Sequence, residues 1–350
     1  MLHQELYFGR IGYKIEGEAP FVNAAVSYCL KWGPYSSKSK INIDRNYKIK
    51  LSKISDRGEF INDLLEHSKS SLSKERFFNN KEIFVICKEG FVFFIPQQTD
   101  FNIGYPILIH NKDNHSFEVV CSNSSSELDY FLWSLLKEIY ITFYESNGWI
   151  LYHANGLSLN EKEGLIFMAG PKCGKSTLMC ALTAYAPPAF PLADDRLLVK
   201  NNNIQAVPSI ANFDMRNLNT NHPFHGISSL IAKKSERHEN YLELSILSLA
   251  SGRGSLHYPY ISKAIIIPKY SADLENDYKF IPVKKNEFIK IIKENVISPH
   301  ERWRDKYMWD RNNRFDEIWV NQLSNMKAFR VLFRGNINQK KLCEDLLKHI

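Results

Sequence analysis

The run Ala169-Gly170-Pro171-Lys172-Cys173-Gly174-Lys175-Ser176-Thr177 holds residues whose types and spacing suit phosphate chemistry. An apolar stretch, Leu165-Ile166-Phe167-Met168, precedes it, and helix-forming Leu178-Met179-Cys180-Ala181-Leu182 follows. Strand, glycine-bearing turn and helix are the setting of a Walker A phosphate-binding loop. Amides of the turn and of the helix N-terminus converge on one point and can hold phosphate oxygens. Lys175 would bring a cation to the β- and γ-phosphates of ATP, and the Ser176 hydroxyl would ligate Mg²⁺. Ala169 stands where the strict pattern has glycine, and a glycine is shifted to position 170. Alanine is small enough for that turn. Lys172 either adds positive charge near the phosphates or points to water.

A second constellation is Asp194-Asp195, at the end of the apolar segment Pro191-Leu192-Ala193. Phosphoryl transfer needs a metal held against the phosphates and a base for the acceptor hydroxyl, and a carboxylate pair can supply both. The bland alternative is that one or both cap a turn. His153, in Leu151-Tyr152-His153-Ala154-Asn155-Gly156, is a third candidate. A histidine beside a carboxylate orients it, although a lone histidine at a strand end also serves structure alone.

Composition narrows the setting. The net charge of +7 is dispersed along 350 residues, which favours a nucleotide, a phosphate or an acidic peptide as partner. No basic stripe or base-reading motif points to nucleic acid. Six cysteines without a C-x-x-C pair argue against a disulfide framework or a zinc site and fit a reducing cytoplasm. Cys173 sits where lysines and a helix N-terminus favour a thiolate, so a redox-sensitive ATP site stands beside the plainer reading of a small residue in a tight loop. Met1-Leu2-His3-Gln4-Glu5 lacks the basic region and apolar core of a signal peptide. No stretch reaches the ~18 continuous apolar residues of a membrane span.

The length suggests two domains, with a boundary near residue 125. Residues 1–125 read as mostly strand, at Phe8–Ile15, Tyr47–Ile54, Glu82–Cys87, Phe91–Ile95 and Phe117–Cys121. Residues 126–350 read as α/β. The strongest helix spans Ser126 to Ser146, with Leu132, Leu135, Leu136, Ile139, Tyr140 and Phe143 at helical spacing. Short strands at Ile150–His153 and Gly156–Leu159 lead into the loop unit. A buried strand at Ala264–Pro268, a helix at Asn286–Val296, a strand at Phe329–Phe333 and a closing helix follow. Ser298–Asn313, rich in Trp, Arg and Asp, reads as a loop or lid.

Tyr152-His153-Ala154-Asn155-Gly156, the loop and Pro191-Leu192-Ala193-Asp194-Asp195-Arg196 together resemble the catalytic domain of the HPr kinase family. They resemble in particular its relatives encoded with peptide natural products such as lasso peptides. The resemblance covers residues 128–216 and, loosely, the C-terminal tail. It implies a P-loop kinase core akin to phosphoenolpyruvate carboxykinase that transfers phosphate from a nucleotide to a serine hydroxyl. By that resemblance Asp194 would be the base, paired with His153, while Asp195 would join Ser176 as metal ligand. Asp214-Met215-Arg216 would add a metal ligand, Asp214, and a phosphate-binding arginine, Arg216. Asn217-Leu218-Asn219 stands where the family has glycines, which argues against HPr as substrate and leaves a phosphatase activity in doubt. Arg253 is a further arginine candidate, with an ordinary loop role as its alternative. The expectation is a cytoplasmic kinase using ATP and Mg²⁺, acting on a peptide or protein serine, without nucleic-acid or membrane partners. Homo-oligomer formation is left open. The alternatives are a small-molecule kinase, separable by a deep polar pocket in the first domain, and a silent nucleotide-binding scaffold, separable by binding without transfer.

Overall fold

The computed structural model describes residues 1–32, 35–38, 42–55, 57–66, 72–77, 81–88, 90–96, 106–121, 126–186, 188–208, 210–212, 241–243, 258–297, 322–323, 325–335 and 337–350. The fold is mixed α/β, with two mixed sheets of eight and nine strands. Among the described residues there are six helices. The chain divides into two compact units between Thr142 and Phe143.

The first unit carries β1 (Leu2–Phe8), β2 (Ile11–Gly17), β3 (Arg45–Lys53), β4 (Leu72–Phe77), β5 (Lys81–Lys88), β6 (Phe91–Pro96), β7 (Ile107–Asn111) and β8 (Ser116–Cys121). Their order across the sheet is β1-β2-β3-β8-β7-β6-β5-β4. Strands β2, β3 and β8 run parallel, and the remaining neighbours are antiparallel. The strand expected over Phe8–Ile15 is instead the corner of a hairpin, because Gly9 takes φ 55 and turns the chain.

Two helices lie in this strand-rich stretch, α1 (Ala19–Trp32) and α2 (Arg57–Glu66). Their signal is legible afterwards. Phe21, Val22, Ala25, Val26 and Cys29 recur at helical spacing and are all buried. On α2, Ile61 joins Ile86, Ile95, Ile107 and Val120 in one apolar cluster.

Helix α3 (Ser126–Ser146) has the expected bounds. Its apolar side belongs to the first unit: the Tyr13 hydroxyl donates to the Leu136 carbonyl at 3.1 Å, and the rings of Phe8 and Tyr140 meet edge-on at 4.9 Å. The division therefore falls inside α3 rather than at 125/126. Burying the Leu-rich face of α3 outweighs the polar break before it as a boundary signal.

The second unit contains β9 (Ile150–Tyr152), β10 (Ala154–Ser158), β11 (Glu163–Met168), α4 (Lys175–Tyr185), β12 (Phe190–Ala193), β13 (Leu197–Lys200) and β14 (Asn203–Gln205). A two-stranded ribbon, β15 (Ile210–Asn212) and β16 (Tyr241–Glu243), follows. After it come β17 (Tyr260–Tyr270), β18 (Tyr278–Pro282), α5 (Lys285–Asn295), β19 (Ala328–Phe333) and α6 (Gln339–His349). The main sheet runs β12-β10-β11-β17-β14-β13-β9, with β19 pairing both β17 and β18.

What positions the site is the placement of β10, antiparallel between β11 and β12. The C-terminal ends of β11 and β12 and the first residues of β10 thus meet at one edge, and carboxyl ends of strands are where α/β folds bind ligands. All residues of β10 and β12 are buried, as in strands covered on both faces.

Candidate functional site

The loop follows β11 and ends where α4 begins. Gly174 has φ 97, and a Cβ there would lie 2.4 Å from Cζ of Phe333 on β19. Only glycine meets both demands. Gly170, Pro171 and Lys172 are exposed, and Lys172 also takes a left-handed backbone, φ 59. Lys175 is buried at 5 % exposure. Its Nζ donates to the carbonyls of Ala169 at 3.0 Å and Gly170 at 3.3 Å, and lies 3.7 Å from Asp195 Oδ1. These partners offset the cost of taking an ammonium out of water. Ser176 and Thr177 follow in the first turn of α4.

The two aspartates part company. Asp194 is buried, and its Oδ1 accepts from Ser176 Oγ at 2.8 Å and from Asn155 Nδ2 at 2.6 Å. Asp195 is exposed and faces His153, with Nε2 to Oδ1 at 3.3 Å. The expected pairing of His153 with Asp194 is therefore corrected: His153 pairs with Asp195, and Ser176 pairs with Asp194. The physical reason lies in the backbone. Successive side chains of an extended strand point to opposite faces, but Asp195 takes φ 60, a left-handed conformation that Asp tolerates better than most residues. The turn brings its carboxylate back towards His153 and Lys175. The hydrogen bond from His153 holds the Asp195 carboxyl below the usual carboxylate range; partial burial opposes this and the charge of Lys175 assists it.

His153 is itself fixed through its backbone, whose N–H donates to the Asn295 carbonyl at the end of α5, 2.7 Å away. Asn155, which no expectation singled out, is fully buried between the two aspartates. The signal was present: an asparagine set among Ala154, Gly156 and Leu157 must be hydrogen-bonded once that segment is buried.

Ser176 Oγ and the Asp194 carboxylate form a small set of hard oxygen donors. That set fits Mg²⁺, which takes one or two protein oxygens and keeps several waters. Cys173 is half-buried. Cys180, on α4, is buried, and burial pushes its thiol up to about 12, so it is inert as a nucleophile. Asp214, Arg216, Arg253 and the segment Ser298–Asn313 lie outside the described residues. Among the described residues no helix is long and apolar enough to cross a membrane.

No protein-family model and no curated protein matches this chain. Among solved structures, it is similar to the HPr(Ser) kinase/phosphatase from Coxiella burnetii. The identity is 16 %, the match covers 57 % of this chain and 94 % of that one, and the TM-score is 0.25.

Proposed function

We propose that this chain is a P-loop kinase that transfers the γ-phosphoryl group of ATP, with Mg²⁺, to a hydroxyl, most concretely a serine of a peptide or protein in a reducing cytoplasm. The observation that carries the reading is the meeting of Lys175, Ser176, Asp194 and the His153–Asp195 pair at one end of β10, β11 and β12. The serine acceptor rests on the sequence resemblance to HPr kinases, as do the places of Asp214 as extra metal ligand and Arg216 on the transferred phosphate.

The roles of the two aspartates follow their surroundings. Asp194, buried against Ser176, is the metal-side carboxylate. Bound Mg²⁺ would be held by Ser176 and Asp194 and would neutralise charge on the phosphate oxygens. Asp195, ionised and exposed beside His153, can be reached by a hydroxyl arriving from solvent. It accepts the hydroxyl proton as the oxygen bonds to phosphorus and ADP leaves. Lys175 and the loop amides of 169–174 cradle the phosphates, and His153 holds the Asp195 carboxylate in place.

The test begins with titration of ATP and ADP, with Mg²⁺, into the wild type and Lys175→Ala while following the melting temperature. A rise in the wild type that the variant loses supports the site. No rise in either ends the kinase reading. Phosphate transfer from labelled ATP to a serine-peptide library, set against a sugar and metabolite panel, then decides the acceptor class.

A further inference from the structure

We infer that Asn155 is a positioning residue that ties the metal side of the site to the base side, an inference that rests on the kinase reading above. Its side chain is 0 % exposed and reaches both aspartates and Ser176. Oδ1 accepts from the backbone N–H of Asp195 at 3.0 Å. Because an N–H can only donate, this bond fixes which end of the amide is oxygen. Nδ2 must then face the other way, and its two hydrogens go to Asp194 Oδ1 at 2.6 Å and Ser176 Oγ at 3.1 Å.

Each bond has a distinct consequence. The bond to the Asp195 amide braces a left-handed backbone, φ 60, that costs roughly 1–3 kcal/mol in a non-glycine residue. That backbone is what turns the carboxylate towards His153. The bonds to Asp194 and Ser176 hold two oxygens together before a cation arrives. Ser176 Oγ gives its hydrogen to Asp194 and spends one lone pair on Asn155, which leaves one for a metal. A cation taking the serine oxygen competes with the serine–aspartate bond, but the amide bond to Asp194 can persist. A single buried side chain therefore sets the distance between the group that grips the metal and the group that takes the proton. No aliphatic residue of the same volume could do this.

Binding calorimetry separates this role from a merely structural one. ADP affinity is measured with Mg²⁺ and with a chelator in the wild type, Asn155→Ala, Asp194→Asn and the double variant. The Mg²⁺-dependent gain in affinity should fall about tenfold in Asn155→Ala, the lower end of the usual cost of losing a residue that orients metal ligands. Metal-free ADP affinity should stay unchanged. The double variant should lose no more than Asp194→Asn alone, because both changes remove the same arrangement. In transfer assays the turnover of Asn155→Ala should drop about 100-fold, more than the roughly tenfold rise in KM for ATP that the lost Mg²⁺ gain entails. Should Asn155→Ala fail to fold, Asn155→Thr is the substitute, since its β-branch suits a strand and its one hydroxyl cannot serve both aspartate segments. An unchanged Mg²⁺ gain, or additive losses in the double variant, overturns the positioning role and leaves the kinase reading standing. A wild type without any Mg²⁺ gain overturns the metal reading itself, and the inference with it.

Discussion

Strands β3 and β10, one from each large sheet, treat a polar side chain in opposite ways. In β3 of the first unit, Tyr47, Ile49 and Leu51 are buried while Arg45, Asn46, Lys48 and Lys50 are exposed, so these four polar residues face water. In β10 of the second unit every residue is buried, and Asn155 has no water to turn to. Asn46 is a solvent-facing position like any other. Asn155 persists only because its donors and acceptor find partners, and those partners are the candidate site. The charges differ in the same way. Lys50 and Glu118 meet at 2.8 Å on the open face, with 49 % and 32 % of their side chains exposed, a kind of pair worth ~0–1 kcal/mol. Lys175 is enclosed, and its partners are the loop carbonyls and Asp195. The exposed polar residues of β3 thus report solvation, whereas Asn155 in β10 reports the partners it meets in the interior.

Four substitutions would break or sharpen that contrast. The largest effect belongs to Asp195→Asn, expected to lower transfer about 1000-fold, within the range for losing a general base, with nucleotide affinity nearly unchanged. Full activity in this variant, measured by phosphate release to the acceptor, would return the base role to Asp194. Next is Gly174→Ala, which places a Cβ at φ 97 against Phe333. Urea unfolding should show a loss of about 2–3 kcal/mol from strain and overpacking together, and Phe333→Leu in the same chain should restore part of it.

His153→Gln comes third, with about a tenfold loss of turnover and a shift in pH dependence. The His153 bond holds the Asp195 carboxyl low, so removing it raises that value. Activity needs the carboxylate, so the acid limb of the rate profile should move to higher pH. On the kinase reading, the limb of the wild type should lie on the acid side of the usual carboxylate range. The same sign governs stability: the contribution of Asp195 is present above its unfolded value and lost as pH falls through the lower folded one. The smallest effect is Lys50→Thr, expected to change stability by less than ~0.5 kcal/mol. A larger loss in thermal unfolding would mean that the open face of the first sheet is not the plain solvated surface described here.

Much of the architecture was legible because it depends on neighbours in sequence. Helix α3 shows its Leu and Ile spacing directly, and β11 shows a continuous apolar run before the glycine-bearing turn. Helices α1 and α2 were passed over because aromatic and β-branched residues around them suggest strands, and it is the packing of Phe21, Val26 and Ile61 that decides the period. Strand β7 (Ile107–Asn111) is not among the segments read from the sequence, because its apolar run Ile107-Leu108-Ile109 gives way to His110 and Asn111 after three residues.

The sequence by itself determined the loop, since Gly174, Lys175 and Ser176 lie in a contiguous stretch whose backbone needs are local. It also determined that two carboxylates would stand at a strand end, because Asp194 and Asp195 follow an apolar run. Which aspartate takes which partner was decided only by tertiary structure. It depends on β10 lying between β11 and β12, and on a left-handed backbone at Asp195 braced by Asn155. Adjacent side chains of the same type carry no mark of the direction they will face. Strand pairing and one backbone torsion supply it.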